Sequence, residues 1–433
     1  MLKTLYKLFL NSFGISTDTR TIQENQIYFA LKGDNFDGNK YAEMALEKGA
    51  LCVVVDDASV LINKQDKPYF LVSDVLDTLQ RLAKYHREII KIPVLAITGT
   101  NGKTTTKELI YTTLSEKYNV FATQGNLNNH IGVPLSLLSI TEMHEIAIIE
   151  MGANHQGEIA ILCDIAKPNY GLITNIGKAH LEGFESEDGI LRTKKELFDY
   201  ISNNEGMFFY NLEELNIHDF AKSYSNIITY SKLEENSNYK YKVTNSKIAS
   251  SISVSDITIQ SNLFGDYNAQ NLAAAYAVGQ HFKVSNLQCK HALELYTPKN
   301  NRSQIVKTEA NELIVDAYNA NPTSLRLAIS QFLSLSNTGK VIIIGDMFEL
   351  GTFSDVEHQN MVDLLENNIN GFEKVFLVGE CFSKTDVKHI EKICSFTNRE
   401  DLERELEVSK LQDKLILLKA SRGIGLEKVV KLL

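Results

Sequence analysis

Paired cysteines are absent from this sequence. Its 433 residues hold 5 cysteines (Cys52, Cys163, Cys289, Cys381, Cys394), scattered and without a Cys-x-x-Cys pair. That pattern suits reduced thiols better than a disulfide frame or a zinc site. Long apolar runs are missing too, so no segment is expected to insert in a bilayer. The first ten residues are broken by Lys3 and Lys7 and read as a short amphipathic helix, not as the apolar core of a signal peptide. Positive charge is also in deficit. A net charge of −10 argues against a general nucleic-acid or membrane-surface binder, although anionic small molecules need only local positive groups. A cytoplasmic monomer is expected.

One glycine is missing from an otherwise familiar arrangement. Residues 94–97 are all apolar and read as a buried strand after Pro93, and Gly99-Thr100-Asn101-Gly102-Lys103-Thr104 follows. A helix is expected from about Thr105. A glycine turn between a strand and a helix N-terminus presents free N–H groups and a positive dipole end to phosphate. Lys103 adds a charge for the outer phosphates, and the Thr104 hydroxyl can hold Mg²⁺. The first glycine of the standard P-loop would fall on Ile97, which leaves a shorter loop. ATP binding is the anchor of the reading.

With 44% hydrophobic residues the chain can bury several cores, and its length suits two or three domains. The first part reads as a small α/β unit, with strands at 26–31 and 50–55 and a helix at 41–48. Its two polar loops carry Ser16, Thr17, Asp18 and Arg20, then Lys32, Gly33, Asp37 and Gly38. They are either plain turns or a grip for a diphosphate, with Arg20 as fork and Lys32 as point charge.

In the middle part the strand 145–150 ends on Glu150, where a parallel sheet places metal ligands. The strand 170–176 delivers His180 in a glycine-flanked loop, a ligand or a structural histidine. The segment 188–200 reads as a helix whose Lys194 and Lys195 look like a solvated charged face. Residues 203–261 read as a peripheral antiparallel ribbon. Asn268 and Asn271, three apart on one helical face, can meet a base edge or cap the helix.

A boundary belongs near 298–302. Beyond it, strands at 313–316, 340–344, 375–378 and 415–418 alternate with helices, which implies a parallel sheet wound on both faces. The fold class expected is α/β in three domains, at 1–84, 85–299 and 300–433. The middle one is a P-loop-type ATPase domain on a mainly parallel sheet, and the last is Rossmann-like. The residues alone suggest an ATP-using transferase or ligase; an NTP-driven switch that joins no substrates is the alternative.

A resemblance then becomes specific. The runs at 99–104, 150–158 and 175–184 resemble the Mur ligases of peptidoglycan synthesis. So do the runs at 318–322, 345–351 and 419–422, and together these motifs touch the middle and last parts; the loops at 16–20 and 32–38 extend the likeness to the first. No Asp-Asn-Pro-Arg run of the relative that adds the third residue occurs, and folylpolyglutamate synthase is not expected to carry Tyr318-Asn319-Ala320-Asn321-Pro322. Other amino-acid ligases of the family remain alternatives.

The resemblance implies an ADP-forming ligase that joins D-alanyl-D-alanine to UDP-N-acetylmuramoyl-tripeptide through an acyl phosphate. It implies ATP and two Mg²⁺ ions as cofactors. Thr104 and Glu150 would hold the first ion, and His180 the second with the support of a carbamylated lysine at Lys194. Lys103, Lys194 and His180 are thus the implied catalytic residues. Gly99 to Thr105, Asn268, Asn271, Arg302 and Asp316 would bind ATP, with Arg302 at the phosphates and Asp316 near the ribose. The loops holding Ser16 to Arg20 and Lys32 to Gly38 would hold the UDP-sugar, which makes the first domain a UDP-sugar domain. Asn128 and Asn129 would face the muramoyl peptide, and Tyr318, Asn319 and Asn321 the dipeptide.

Overall fold

The computed structural model describes residues 1–61, 68–178, 181–184, 186–244 and 248–433. The N-terminal helix Leu2–Leu10 buries Leu5, Tyr6 and Phe9 along one face, as its amphipathic pattern requires. Beside it four short strands run parallel in the order Ile15–Ser16, Ile27–Phe29, Cys52–Val55, Tyr69–Leu71. The turn-rich loop after Leu31 folds as a small antiparallel hairpin of Lys32–Gly33 with Phe36–Asp37.

The boundary expected after residue 84 falls inside the helix Val75–Ile89. That helix is fixed to the middle part. The buried Arg87 guanidinium donates to the carbonyls of Ile90, Ala166 and Lys167 and to Asn169 Oδ1, and Lys84 pairs with Asp164 at 2.7 Å. The chain therefore leaves the first unit through a helix that is already docked, and enters the next strand at Val94.

Six parallel strands form the centre of the middle part, in the order Ile227–Ser231, Met207–Asn211, Tyr170–Ile173, Val94–Thr98, Ile146–Glu150, Val120–Ala122. The expected ribbon over 203–261 is corrected here. Its first half supplies two of these parallel strands with the helix Leu215–Ala221 between them, because Phe208, Phe209, Tyr210 and Tyr230 are buried against both faces. A strand buried on both sides shows no alternation to read. Tyr239–Val243 still pairs parallel with Ile227–Ser231, and the antiparallel pairing begins on its other edge with Ala249–Val254 and continues to Ile257–Phe264, which alternates buried with exposed residues.

The final part has five parallel strands in the order Ile393–Phe396, Lys374–Val378, Lys340–Gly345, Leu415–Lys419, Glu312–Asp316, and Gln304–Lys307 runs antiparallel at their edge. A single pairing of Leu263 with Gln304 joins the two large sheets edge to edge. The architecture is thus α/β in three parts, with mainly parallel sheets. Among the described residues no helix is long and apolar enough to cross a membrane.

Candidate active site

The C-terminal ends of the middle strands and of the last sheet face one another across a cleft of about 660 Å³. Ligand sites of open parallel sheets lie in such crevices. The phosphate loop forms its floor. Gly99 has φ +143°, and a Cβ on it would lie 2.0 Å from Thr174 Oγ1, so a side chain there is excluded. Gly102, at φ +78°, opens the helix Lys103–Ser115, which has no side-chain cap. Its first N–H groups are therefore free for a ligand. The helix begins two residues earlier than its sequence suggested.

The loop is pinned from the neighbouring strand end. Thr174 Oγ1 donates to Asn101 O at 2.6 Å, Asn101 N donates to Asn175 Oδ1 at 3.0 Å, and Gly177 N donates to Thr100 Oγ1 at 3.0 Å. Lys103 Nζ folds back to donate to Gly99 O at 2.7 Å and Thr100 O at 3.1 Å. Burial, aided by the charge of Arg302, pushes this amine down to about 8. Thr105 is buried in the first helical turn.

Glu150 is the central carboxylate. Its Oε1 accepts from Thr104 Oγ1 at 3.2 Å and from Asn128 Nδ2 at 2.8 Å. Its Oε2 is buried with no hydrogen-bond partner. A buried, unpartnered carboxylate oxygen beside a hydroxyl is what a hard divalent cation needs. The residues present therefore fit Mg²⁺. Behind Glu150 lies the wholly buried Lys107, 3.9 Å from that oxygen, which donates to Thr123 O at 2.5 Å and pairs with Glu108 at 3.0 Å. Sequence reading missed Lys107. Its place one helical turn after Lys103 was the available signal.

Lys194 is only 3% exposed, and its amine lies 5.4 Å from the centre of the Phe184 ring. Burial, with the charge of Lys103, pushes it down to about 7. Its neighbour Lys195 points outward and pairs with Asp199. The solvated-face reading of this helix fails for Lys194 and holds for Lys195. His180 lies outside the described residues.

On the opposite wall the Arg302 guanidinium stacks 3.8 Å above the centre of the Tyr318 ring, and its Nε has no hydrogen-bond partner. Asp316 accepts from Lys419 Nζ at 2.6 Å and from Ser303 N at 3.2 Å. Asn321 caps the helix Pro322–Ser334 through Ser324 N, and its Nδ2 donates to Asn101 Oδ1 at 2.8 Å. This bond ties the last part directly to the phosphate loop. Glu214, also unforeseen, lines the cleft, and burial raises its carboxyl to about 7.

Several expected contacts are differently placed. Asn268 and Asn271 border the cleft, yet their amides are engaged with protein. Asn271 Nδ2 donates to Asn268 Oδ1 at 2.8 Å, Asn271 Oδ1 accepts from Thr106, and Asn268 donates to Phe264 O and Ser303. Asn128 is bonded to Glu150, while Asn129 accepts from the Ile131 and Gly132 N–H groups at the start of a helix. Asn319 Oδ1 accepts from Ala320 N, and its carbonyl accepts from Lys419.

The loops of the first part do not border this cleft. Arg20 pairs with Asp18 at 2.6 Å, Ser16 Oγ donates to Asp18 O, and Thr17 lies between them. Lys32 pairs with Asp56 at 2.8 Å, and Asp37 accepts from Asn39. Gly33 is open to solvent, whereas a Cβ on Gly38 would meet Leu31 O at 2.6 Å.

Three family models cover almost the whole chain. The Mur ligase family catalytic domain matches residues 13–87, the Mur ligase middle domain 97–279, and the Mur ligase glutamate ligase domain 301–422. The chain belongs to the Mur ligase family. Among its relatives, the UDP-N-acetylmuramoyl-tripeptide–D-alanyl-D-alanine ligase of Bacillus subtilis is 34% identical over 428 residues, covering 96% of this chain and 92% of the relative. The Escherichia coli ligase of the same name is 30% identical over 434 residues, covering 97% and 93%. Of solved structures, MurF from Acinetobacter baumannii superposes with a TM-score of 0.84 at 29% identity, covering 96% of this chain and 92% of that one. The MurF ligase of Thermotoga maritima in complex with ADP gives 0.84 at 26% identity, covering 98% and 97%. The middle-domain match begins at Ile97, in the strand that leads into the phosphate loop.

Proposed function

We propose that this chain is the ADP-forming ligase that joins D-alanyl-D-alanine to UDP-N-acetylmuramoyl-tripeptide in peptidoglycan precursor synthesis. The observation that carries the reading is Glu150, a buried carboxylate that accepts from Thr104 at the end of the phosphate loop and has one oxygen without a hydrogen-bond partner. It supports a metal–nucleotide site facing a second substrate wall. A carboxylate is a poor acyl donor until it gains a leaving group. A carboxylate oxygen of the tripeptide attacks the γ-phosphorus of ATP, the bond to the β-bridging oxygen breaks, and ADP departs. The neutral amine of the dipeptide then attacks the acyl carbon, an amide forms, and phosphate leaves with the mixed-anhydride oxygen.

The chain's own residues bind and neutralise. The phosphate-loop N–H groups from Gly99 to Thr105 receive phosphate, and Lys103 turns from the loop carbonyls to the developing charge. Thr104 and Glu150 would hold Mg²⁺, which supplies charge neutralisation at the transferring phosphoryl group. Arg302 and Asp316 serve the nucleotide from the facing wall, with Asn268 and Asn271 supporting the loop from below. Lys194 is the residue for carbamylation, supported by burial that lowers its amine to about 7, so that a large share of it is neutral near pH 7 and able to add to carbon dioxide. His180 is assigned to the second Mg²⁺ ion. The loops with Ser16, Thr17, Asp18, Arg20, Lys32, Gly33, Asp37 and Gly38 are assigned to the UDP-sugar, and a cytoplasmic setting suits these substrates.

Phosphate release tests the reading. Release with UDP-muramoyl tripeptide should require ATP and D-alanyl-D-alanine and should not occur with single amino acids or glutamate. Release without any acceptor would favour a nucleotide switch instead.

A further inference from the structure

The last sheet contributes one wall of the cleft whose chemistry differs from the rest. Most cleft residues are polar, but Phe348 and Leu327 border it and remain 44% and 47% exposed. Arg422 borders it too, directly after the strand Leu415–Lys419. Of the other cations of the cleft, two are held by protein and the third, Arg302, is assigned to the phosphates. Lys103 lies on the phosphate loop, Lys419 pairs with Asp316, and Arg302 stacks closely on Tyr318 beside Lys103. Arg422 is exposed, 5.5 Å from the centre of the same Tyr318 ring, and has no carboxylate partner among the described residues.

The wall is rigid. Ser421 Oγ accepts from Phe348 N at 3.0 Å, and Ser421 N donates to Asp346 O at 3.2 Å. A Cβ on Gly423 would lie 2.5 Å from the Phe348 ring, so the ring rests on the backbone next to Arg422. Beneath them, His358 Nε2 accepts from Met347 N at 3.0 Å, and the Asp346 carboxylate accepts from Cys381 N and Phe382 N at 2.9 Å each. Asp346, His358 and Cys381 lie close enough to suggest a metal site. These bonds engage the histidine nitrogen and both carboxylate oxygens, so the cluster braces the loop.

A dipeptide acceptor presents one carboxylate, two methyl groups and an amine that must stay free to attack. A guanidinium fork matches a carboxylate in two parallel hydrogen bonds, and exposed apolar side chains suit methyl groups. We propose that Arg422 captures the terminal carboxylate of the dipeptide while Phe348 and Leu327 pack on its methyls, which leaves the amine directed toward the phosphate loop. The inference rests on the ligase reading above. It replaces Asn319 and Asn321, whose side chains are held by protein, as the recognition elements on this wall.

The test combines a variant with a substrate analogue. Steady-state ligation is measured for wild type, R422Q and R422K with D-alanyl-D-alanine and with its C-terminal carboxamide. R422Q should raise KM for the dipeptide about 10- to 100-fold, the range of a charge-assisted hydrogen bond, and should leave KM for ATP unchanged. Wild type should suffer the same loss with the carboxamide, R422Q should treat the two acceptors alike, and R422K should recover part of the loss. An unchanged dipeptide KM in R422Q, or a rise confined to ATP, overturns the inference while the ligase reading stands. No product from wild type overturns the ligase reading and the inference with it.

Discussion

Replacing Gly99 by alanine probes how tightly the phosphate loop is built. The added methyl would sit 2.0 Å from Thr174 Oγ1 and 3.0 Å from Thr174 N, at a φ of +143°. Thr174 can swing its hydroxyl away only by giving up its 2.6 Å bond to Asn101 O. That bond is worth about 1 kcal/mol. The backbone contact remains, and overpacking of this kind costs about 1–3 kcal/mol. Strain at the unfavourable φ adds about 1 kcal/mol, so Gly99→Ala should destabilise by about 3–5 kcal/mol in urea unfolding. It should also weaken nucleotide binding, because Asn101 would move. Thr174→Ala alone should cost about 1 kcal/mol. It also removes the obstructing oxygen, so the double variant should lose less than the sum of the two, by about 1 kcal/mol or more. Strict additivity, or a Gly99→Ala loss below about 0.5 kcal/mol, would refute the packing argument.

Other perturbations follow from the same geometry. Glu150→Gln removes a carboxylate charge whose Oε2 has no hydrogen-bond partner and should weaken Mg²⁺-dependent nucleotide binding about 10- to 100-fold, read by fluorescent nucleotide titration, with the fold retained. Lys194→Ala should abolish ligation and regain part of it with short carboxylates, whereas Lys195→Ala should stay active in the same assay. The Lys194 amine is held at about 7 against an ordinary 10.5. The unfolded chain therefore binds more protons between those values, and this group makes stability rise with pH across that window. Lys194→Met should flatten part of that rise in urea midpoints. Asn321→Ala loses a helix cap and the bond to Asn101, about 1–2 kcal/mol in thermal unfolding, while Asn321→Asp should keep the cap and lose only the bond.

The phosphate loop and most strands were legible because their signals are local. An apolar run, two glycines and a helical pattern specify the strand–turn–helix at Val94 to Ser115 without help from elsewhere. The strands Met207–Asn211 and Ile227–Ser231 were not, since burial on both faces erases the period that marks a half-exposed strand. Side-chain commitments were hidden for a different reason. Asn128 meets Glu150 across 22 residues, and Asn321 meets Asn101 across 220, so only the packed chain reveals them. Lys107 and Lys194 show the same limit, because a lysine in sequence reads as solvated and burial is a tertiary fact. Arg422 and Phe348 become neighbours only when the loops after two parallel strands meet.

The fate of the tripeptide's carboxylate oxygen tests the central claim most directly. With the terminal carboxylate carrying a heavy oxygen label, one turnover with ATP and D-alanyl-D-alanine should move one labelled oxygen into the released phosphate. Unlabelled phosphate released alongside the ligated product would contradict activation through an acyl phosphate.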